Sequence, residues 1–216
     1  MSDEFVIDWE RERRTGVAEA LMCEWKTPDQ IDAIVASAPG RMLLTRLTAE
    51  KHDALAEATR TRLDHDPLSK TAILGGPLDR PAVTGAGIVC AGTSDLPVAR
   101  EAARTLEFHG FAAPVLADVG VAGLWRLMRR IEEIRAFDVV IAVAGMEGAL
   151  FSVLAGLIEA PIVAVPVSVG YGTAAGGHAA LGSALASCAP GILTVNIDNG
   201  FGAACGALKM LRRRDR

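Results

Sequence analysis

The sequence lacks the marks of several common functional classes. It has no basic stripe: 22 Lys and Arg stand against 26 Asp and Glu, a net charge of −4 over 216 residues. That balance argues against nucleic acid as the main partner. Four cysteines, Cys23, Cys90, Cys188 and Cys205, are scattered without a CxxC pair or a Cys/His cluster, which speaks against a structural zinc site. Residues 1–12 are acidic and mixed, so no secretory signal is read there and a reducing cytoplasm with free thiols is the expected setting. The most apolar stretch, 139–170, is interrupted by Glu147, Glu159, Pro161 and Pro166; it reads as buried strands joined by a helix, not as a membrane span. No Gly-Lys-Ser/Thr P-loop is present. The glycine pair Gly85 and Gly87 precedes its strand, where a dinucleotide fingerprint would follow it.

What is present is a large apolar fraction, 50% with a mean hydropathy of +0.29, enough for a substantial core. Composition shifts at "GGPLDRP", residues 75–81. Before residue 81 the chain carries 15 acids, 11 bases and only 4 of its 22 glycines; after it, charges balance at 11 and 11. This places a linker there and divides the chain into residues 1–80 and 81–216. The first part reads as a small, mainly helical domain. Thr27 and Pro28 make a helix start, followed by the stripe Ile31, Ile34 and Val35. "RMLLTRL" reads as a short strand, and Thr48 caps a helix over "TAEKHDALAEAT", with Lys51 at the capping-box position. Asp64-His65-Asp66-Pro67 reads as a turn.

The second part alternates. Apolar strand patterns lie at 86–91, 112–116, 139–144, 162–167 and 192–197, with helical patterns following at 97–109, 121–135, 147–159, 177–187 and 203–213. Strands that are apolar throughout and alternate with helices imply a parallel sheet covered on both faces. The expected fold class is α/β: a five-stranded, doubly wound, flavodoxin-like domain.

Ligands of such sheets bind outside the carboxyl ends of the strands. The loops expected there are "AGTSD" (91–95), "ADVGVAG" (117–123), "AGMEG" (144–148), "SVGYGTAAGG" (168–177) and "DNGFG" (198–202). All are rich in glycine, and free N–H groups at helix starts favour anions, so their convergence suggests a nucleotide or phosphorylated ligand. Each polar residue also has a plainer reading. Ser94, Asp95 and Asp118 are good helix caps. Glu147 is placed in the first turn of its helix, where the dipole favours an acid; an apolar loop can also raise a carboxylate's pKa and make it a base. Asp198 and Asn199 suit an Asx turn or a ribose. Among the thiols, Cys90 reads as core. Cys205 is placed in the first turn of the last helix, where the dipole would lower its pKa. Cys188 falls between a helix end and Pro190-Gly191, on the opposite edge of its own sheet, so topology alone favours Cys205 as a reactive thiol.

"AGTSDLPVA", "ADVGVAG", "AGMEGALFSVLAG", "PVSVGYG" and "SCAPGILTVNIDNGFGAA" resemble the LarB family, and "DWERERRTG" and "KTPDQ" resemble that family's additional N-terminal domain. The resemblance spans most of the chain, most specifically residues 85–208. It implies a PurE-like catalytic domain, related to the AIR carboxylase of purine synthesis, that acts on nicotinic acid adenine dinucleotide. The implied activity is carboxylation of the pyridinium ring with CO2 and release of AMP, giving the precursor of the nickel-pincer nucleotide of lactate racemase. It also implies Cys188 as nucleophile and Glu147 as base. Thr93, Ser94, Asp95, Asp118, Gly145, Met146, Gly170, Tyr171, Gly172 and Asn199 would line the substrate. Family members resemble the purine enzyme in forming octamers with sites at subunit interfaces, which would let a second copy deliver Cys188. Magnesium is an expected aid to phosphoanhydride hydrolysis, although no motif demands it. Two departures stand out. The purine enzyme's Ser-Ala-His-Arg loop and third-strand histidine are absent, with "ADVGVAG" and Glu147 in their places, and Phe151 stands where a proline is expected. AIR carboxylase or mutase activity is the second enzymatic expectation, and a nucleotide-binding module without turnover the third.

Overall fold

A computed structural model of the chain describes residues 5–76 and 85–214, with side chains to residue 212. Two compact units divide it, Met1–Arg80 and Pro81–Arg216. Most of the linker expected at residues 75–81 lies outside the described residues.

The first unit is built on a four-stranded sheet. Strands β1 (Ala20–Met22), β2 (Met42–Thr45), β3 (Leu63–Asp66) and β4 (Thr71–Leu74) lie in the order β1-β2-β4-β3, with only the β1–β2 pair parallel. Helices α1 (Arg11–Thr15), α2 (Pro28–Ser37), α3 (Ala49–Asp53) and α4 (Glu57–Arg60) complete it. The expectation of a mainly helical unit captures the helices and, in "RMLLTRL", strand β2, but misses β1, β3 and β4, which are only three or four residues long and too short to show a period. The expected turn Asp64-His65-Asp66-Pro67 is strand β3 through Asp66, whose half-buried residues pair along β4; only Pro67 lies in the turn that follows. Thr27 caps α2 as expected: its hydroxyl accepts the Gln30 N–H at 3.3 Å, and the Gln30 side chain accepts the Thr27 N–H at 3.0 Å. Thr48 likewise accepts the Lys51 N–H, but its helix stops after one turn and resumes as α4. Between them the Ala56 N–H goes to the Asp32 carboxylate at 3.0 Å.

The second unit is a five-stranded parallel sheet, β5 (Ala86–Cys90), β6 (Val115–Leu116), β7 (Val139–Ala144), β8 (Ile162–Pro166) and β9 (Ile192–Thr194), in the order β6-β5-β7-β8-β9. The expected doubly wound, flavodoxin-like topology is the one observed, and its strand order reverses between β5 and β7. Alternate residues of each strand serve opposite faces. Ile88, Ile141, Val143 and Val165 pack with Leu106 of α5 (Leu96–Phe108) and Leu208 of α9 (Gly200–Arg214). Val89, Val140, Ala142 and Ala164 pack with Leu127 of α6 (Leu124–Arg135), Phe151 of α7 (Ala149–Ala155) and Ala184 of α8 (His178–Ala186). Phe151 is fully buried in this second layer, so the aromatic ring in place of proline is a core element.

Candidate active site

The five loops at the carboxyl ends of the strands are joined in sequence by hydrogen bonds. The Val119 N–H, after β6, donates to the Cys90 carbonyl at the end of β5 (3.2 Å). After β5, the Asp95 carboxylate accepts the Gly92 N–H at 2.8 Å and also the Gly145 N–H, after β7. Met146 donates to the Val169 carbonyl, after β8, at 3.0 Å. Asp198, after β9, accepts the Ser168 N–H at 2.9 Å. The ring closes onto α5, where Glu101, itself buried, accepts the Phe201 N–H of α9 at 3.2 Å.

Backbone strain concentrates on the same rim. Asp118 (φ 57°), Met146 (φ 54°) and Asp198 (φ 54°) hold left-handed conformations, each costing on the order of 1–3 kcal/mol and typical of functional loops. They are the positive-φ non-glycine residues of the second unit among those described. Tight packing explains the glycines. A Cβ on Gly145 would collide with the Val169 carbonyl, one on Gly170 with the Ala174 carbonyl, and one on Gly120 would lie 2.8 Å from the Ala91 carbonyl. Gly172 (φ 57°) faces open space.

The expected site residues divide into a rigid and an open set. Asp95 is buried, and burial pushes its carboxyl above the ordinary Asp range. It makes no side-chain cap to α5, because its carboxylate binds the two loops instead. Thr93 and Ser94, in the turn before it, are exposed. Asn199 caps α9 through the Gly202 N–H at 2.7 Å, a bond three residues on that makes it an N-cap in place of the expected Asx turn, which bonds two residues on. Tyr171 is exposed. Glu147 lies outside helix α7, in the turn before its Gly148 N-cap, with an exposed side chain. The first-turn placement fails because Gly148 adopts a left-handed φ of 65°, delaying the helix. Asp118 is not a cap either: its carboxylate accepts the Arg126 guanidinium at 2.8 Å. Arg126 is the residue that sequence reasoning missed, because a charge on an amphipathic helix reads as solvated surface.

The thiols separate clearly. Burial pushes Cys23 and Cys205 up to about 12 and Cys90 to about 11. Cys205 is not in the first turn of α9, since that helix begins at Gly200; desolvation overrides any dipole effect. Cys188 is the exposed cysteine. It follows α8 and precedes β9, where Gly191 accepts the Ile162 N–H at the start of β8. Cys188 is therefore at the amino edge of the sheet, away from the loop ring by roughly 16 Å of strand at ~3.3 Å per residue. Leu185 and Leu193, on either side of it in sequence, are also exposed. Among the described residues no group of three or more His, Cys, Asp or Glu is arranged to hold a metal, and no helix is long and apolar enough to cross a membrane.

Residues 85–216 match the AIR carboxylase family, and residues 3–75 match the LarB/PurE-like N-terminal domain. An uncharacterized protein of Methanocaldococcus jannaschii is 38% identical over 209 residues, covering 91% of this chain and 80% of that one. The N5-carboxyaminoimidazole ribonucleotide mutase of the same organism is 35% identical over 131 residues, covering 59% of this chain and 79% of the mutase. Treponema denticola PurE is similar over 61% of this chain and 91% of its own, with 19% identity and a TM-score of 0.43.

Proposed function

The chain belongs to the LarB family, an AIR carboxylase domain preceded by a LarB/PurE-like N-terminal domain, and from that premise we propose that it carboxylates nicotinic acid adenine dinucleotide and cleaves the product's phosphoanhydride. The observation that carries this reading is the presence, in one chain, of an exposed carboxylate, Glu147, on the loop ring and of a LarB/PurE-like N-terminal domain at residues 3–75. The mutase similarity covers only 59% of the chain, whereas the LarB-type match takes in both units.

A pyridinium ring is too electron-poor to attack CO2. The Cys188 thiolate adds to ring C4, forming a C–S bond and breaking aromaticity, which leaves an enamine whose C5 is nucleophilic. C5 attacks the carbon of CO2, and a carboxylate forms there. Glu147 takes the C5 proton, the C–S electron pair returns to sulfur, and the ring rearomatises. Water then attacks the phosphoanhydride, breaking one P–O bond and releasing AMP with the dicarboxylated mononucleotide. The raised pKa values of Cys23, Cys90 and Cys205 leave Cys188 as the thiol suited to the first step. Its place at the opposite sheet edge requires a second copy of the chain to bring it to Glu147, and the exposed Leu185 and Leu193 suit such a contact. The octamer expected from the family would supply it.

The test is turnover of purified protein with the dinucleotide and bicarbonate, read by mass spectrometry. A mononucleotide one carboxylate heavier, with equimolar AMP, supports the reading. Turnover of aminoimidazole ribonucleotide instead would transfer the mutase's activity to this chain. Binding of the dinucleotide without any product would make it a binding module.

A further inference from the structure

The five loops of the ring, 91–95, 117–123, 144–148, 168–177 and 198–202, contain no Lys or Arg. A dinucleotide carries its negative charge on a phosphoanhydride, and backbone N–H groups alone offer it no full counter-charge. The first turns of the five helices that follow the loops contain one arginine, Arg126 of α6, and no lysine.

Three features fix this arginine. Asp118, held at φ 57° directly after β6, presents its carboxylate to the guanidinium at 2.8 Å. Gly123 leaves room for the guanidinium: a Cβ there would stand 2.8 Å from Arg126 Nε. The Nε–H is itself buried and has no acceptor, a donor left unmet at a cost of about 1–3 kcal/mol. The side chain as a whole remains 33% exposed, so it is oriented without being sealed off. Asp118 satisfies one edge of a planar fork that can bind two acceptors. The loop carrying Asp118 packs against the end of β5, through Val119 to the Cys90 carbonyl. That places it beside the point where the strand order reverses.

We propose that Arg126, oriented by Asp118, is the phosphate clamp of this site and selects a nucleotide, whose phosphate it holds, over a nucleoside. The proposal rests on the dinucleotide reading above for the identity of the substrate, but its chemistry can be tested without turnover. Asp118 is a positioning residue in this scheme; Arg126 is the one that touches the ligand.

The experiment measures binding of AMP, adenosine and nicotinic acid adenine dinucleotide to the full chain and to Arg126→Ala, Arg126→Lys and Asp118→Asn. Circular dichroism and melting confirm that each variant is folded. Loss of a charge-assisted contact predicts weakening of AMP and dinucleotide by about 10- to 100-fold in Arg126→Ala. Adenosine binding should be unchanged. Arg126→Lys should recover part of the loss, since the charge remains and the fork does not, and Asp118→Asn should lie between. Where the unmutated protein turns over, kcat/KM for the dinucleotide should fall in Arg126→Ala, with AMP release slowed at saturating substrate. Equal weakening of adenosine and AMP, or AMP binding untouched by Arg126→Ala, would overturn the proposal. An absence of carboxylation in the unmutated protein, with the AMP-to-adenosine contrast intact, would instead remove the reaction and leave the clamp.

Discussion

The Asp95 carboxylate accepts the backbone N–H of Gly145, tying the loop after β5 to the loop that carries Glu147. Asp95 also holds its own loop through the Gly92 N–H at 2.8 Å. One buried acid therefore sets the spacing of two walls of the ring across the strand-order reversal.

Burial raises the Asp95 pKa in the folded state, so folding favours its protonated form. The resulting stabilisation is present below the ordinary Asp pKa of about 3.9 and is lost as pH rises through the folded value. Asp95→Asn lacks this titration. The melting-temperature difference, native protein minus variant, should therefore fall as pH rises from below that value towards neutrality. A difference that stays flat across the range would contradict the buried-acid account.

The packing of Gly145 against the Val169 carbonyl leaves no space for a methyl group. Gly145→Ala should destabilise the fold by about 1–3 kcal/mol and lower turnover further by displacing Glu147. Gly172→Ala introduces no such collision, but its φ of 57° imposes a left-handed penalty of roughly 1 kcal/mol. Denaturant unfolding of both variants measures the contrast; equal costs would mean the loops are looser than the contacts imply.

A thiol with a pKa of about 12 is ionised in roughly one molecule in 10⁵ at pH 7. Cys23, Cys90 and Cys205 should therefore resist iodoacetamide in the native protein, while the exposed Cys188 is labelled. Peptide mapping after a short exposure identifies the site. The substrate should protect it, and denaturant should make all four cysteines reactive.

In the first unit, Thr27→Ala removes the hydroxyl that accepts the Gln30 N–H and should cost about 1 kcal/mol. Thr27→Ser, which keeps the acceptor, should cost little. Thermal melting of the pair separates the cap from mere loss of side-chain volume.

Much of the second unit was legible because β5, β7 and β8 bury every residue and so appear as uninterrupted apolar runs between glycine turns. The expected edges at 112–116 and 192–197 were too long. β6 holds only Val115 and Leu116 and β9 only three residues, because an edge strand has one neighbour to pair with. In the first unit β2 was legible as "RMLLTRL", but the other three strands are only three or four residues long, too short to show a period, and Asp64, His65 and Asp66 resemble a turn until β4 is beside them. At the site, Asp95 and Glu147 were visible as acids in glycine-rich loops. Their difference was not, because burial of one and exposure of the other arise from contacts between distant loops. The Asp118–Arg126 pair was hidden because eight residues separate its members.

The central claim is that Cys188 and Glu147, at opposite edges of one sheet, act on the same ring when two chains meet. Subunit complementation measures this directly. Cys188→Ala and Glu147→Gln should each be inactive with nicotinic acid adenine dinucleotide and bicarbonate. After equal amounts are mixed, unfolded together and refolded, sites that draw an intact Cys188 from one chain and an intact Glu147 from another should restore about a quarter of native turnover. A mixture as inactive as its components, from a native protein refolded to full activity in the same way, would contradict the claim.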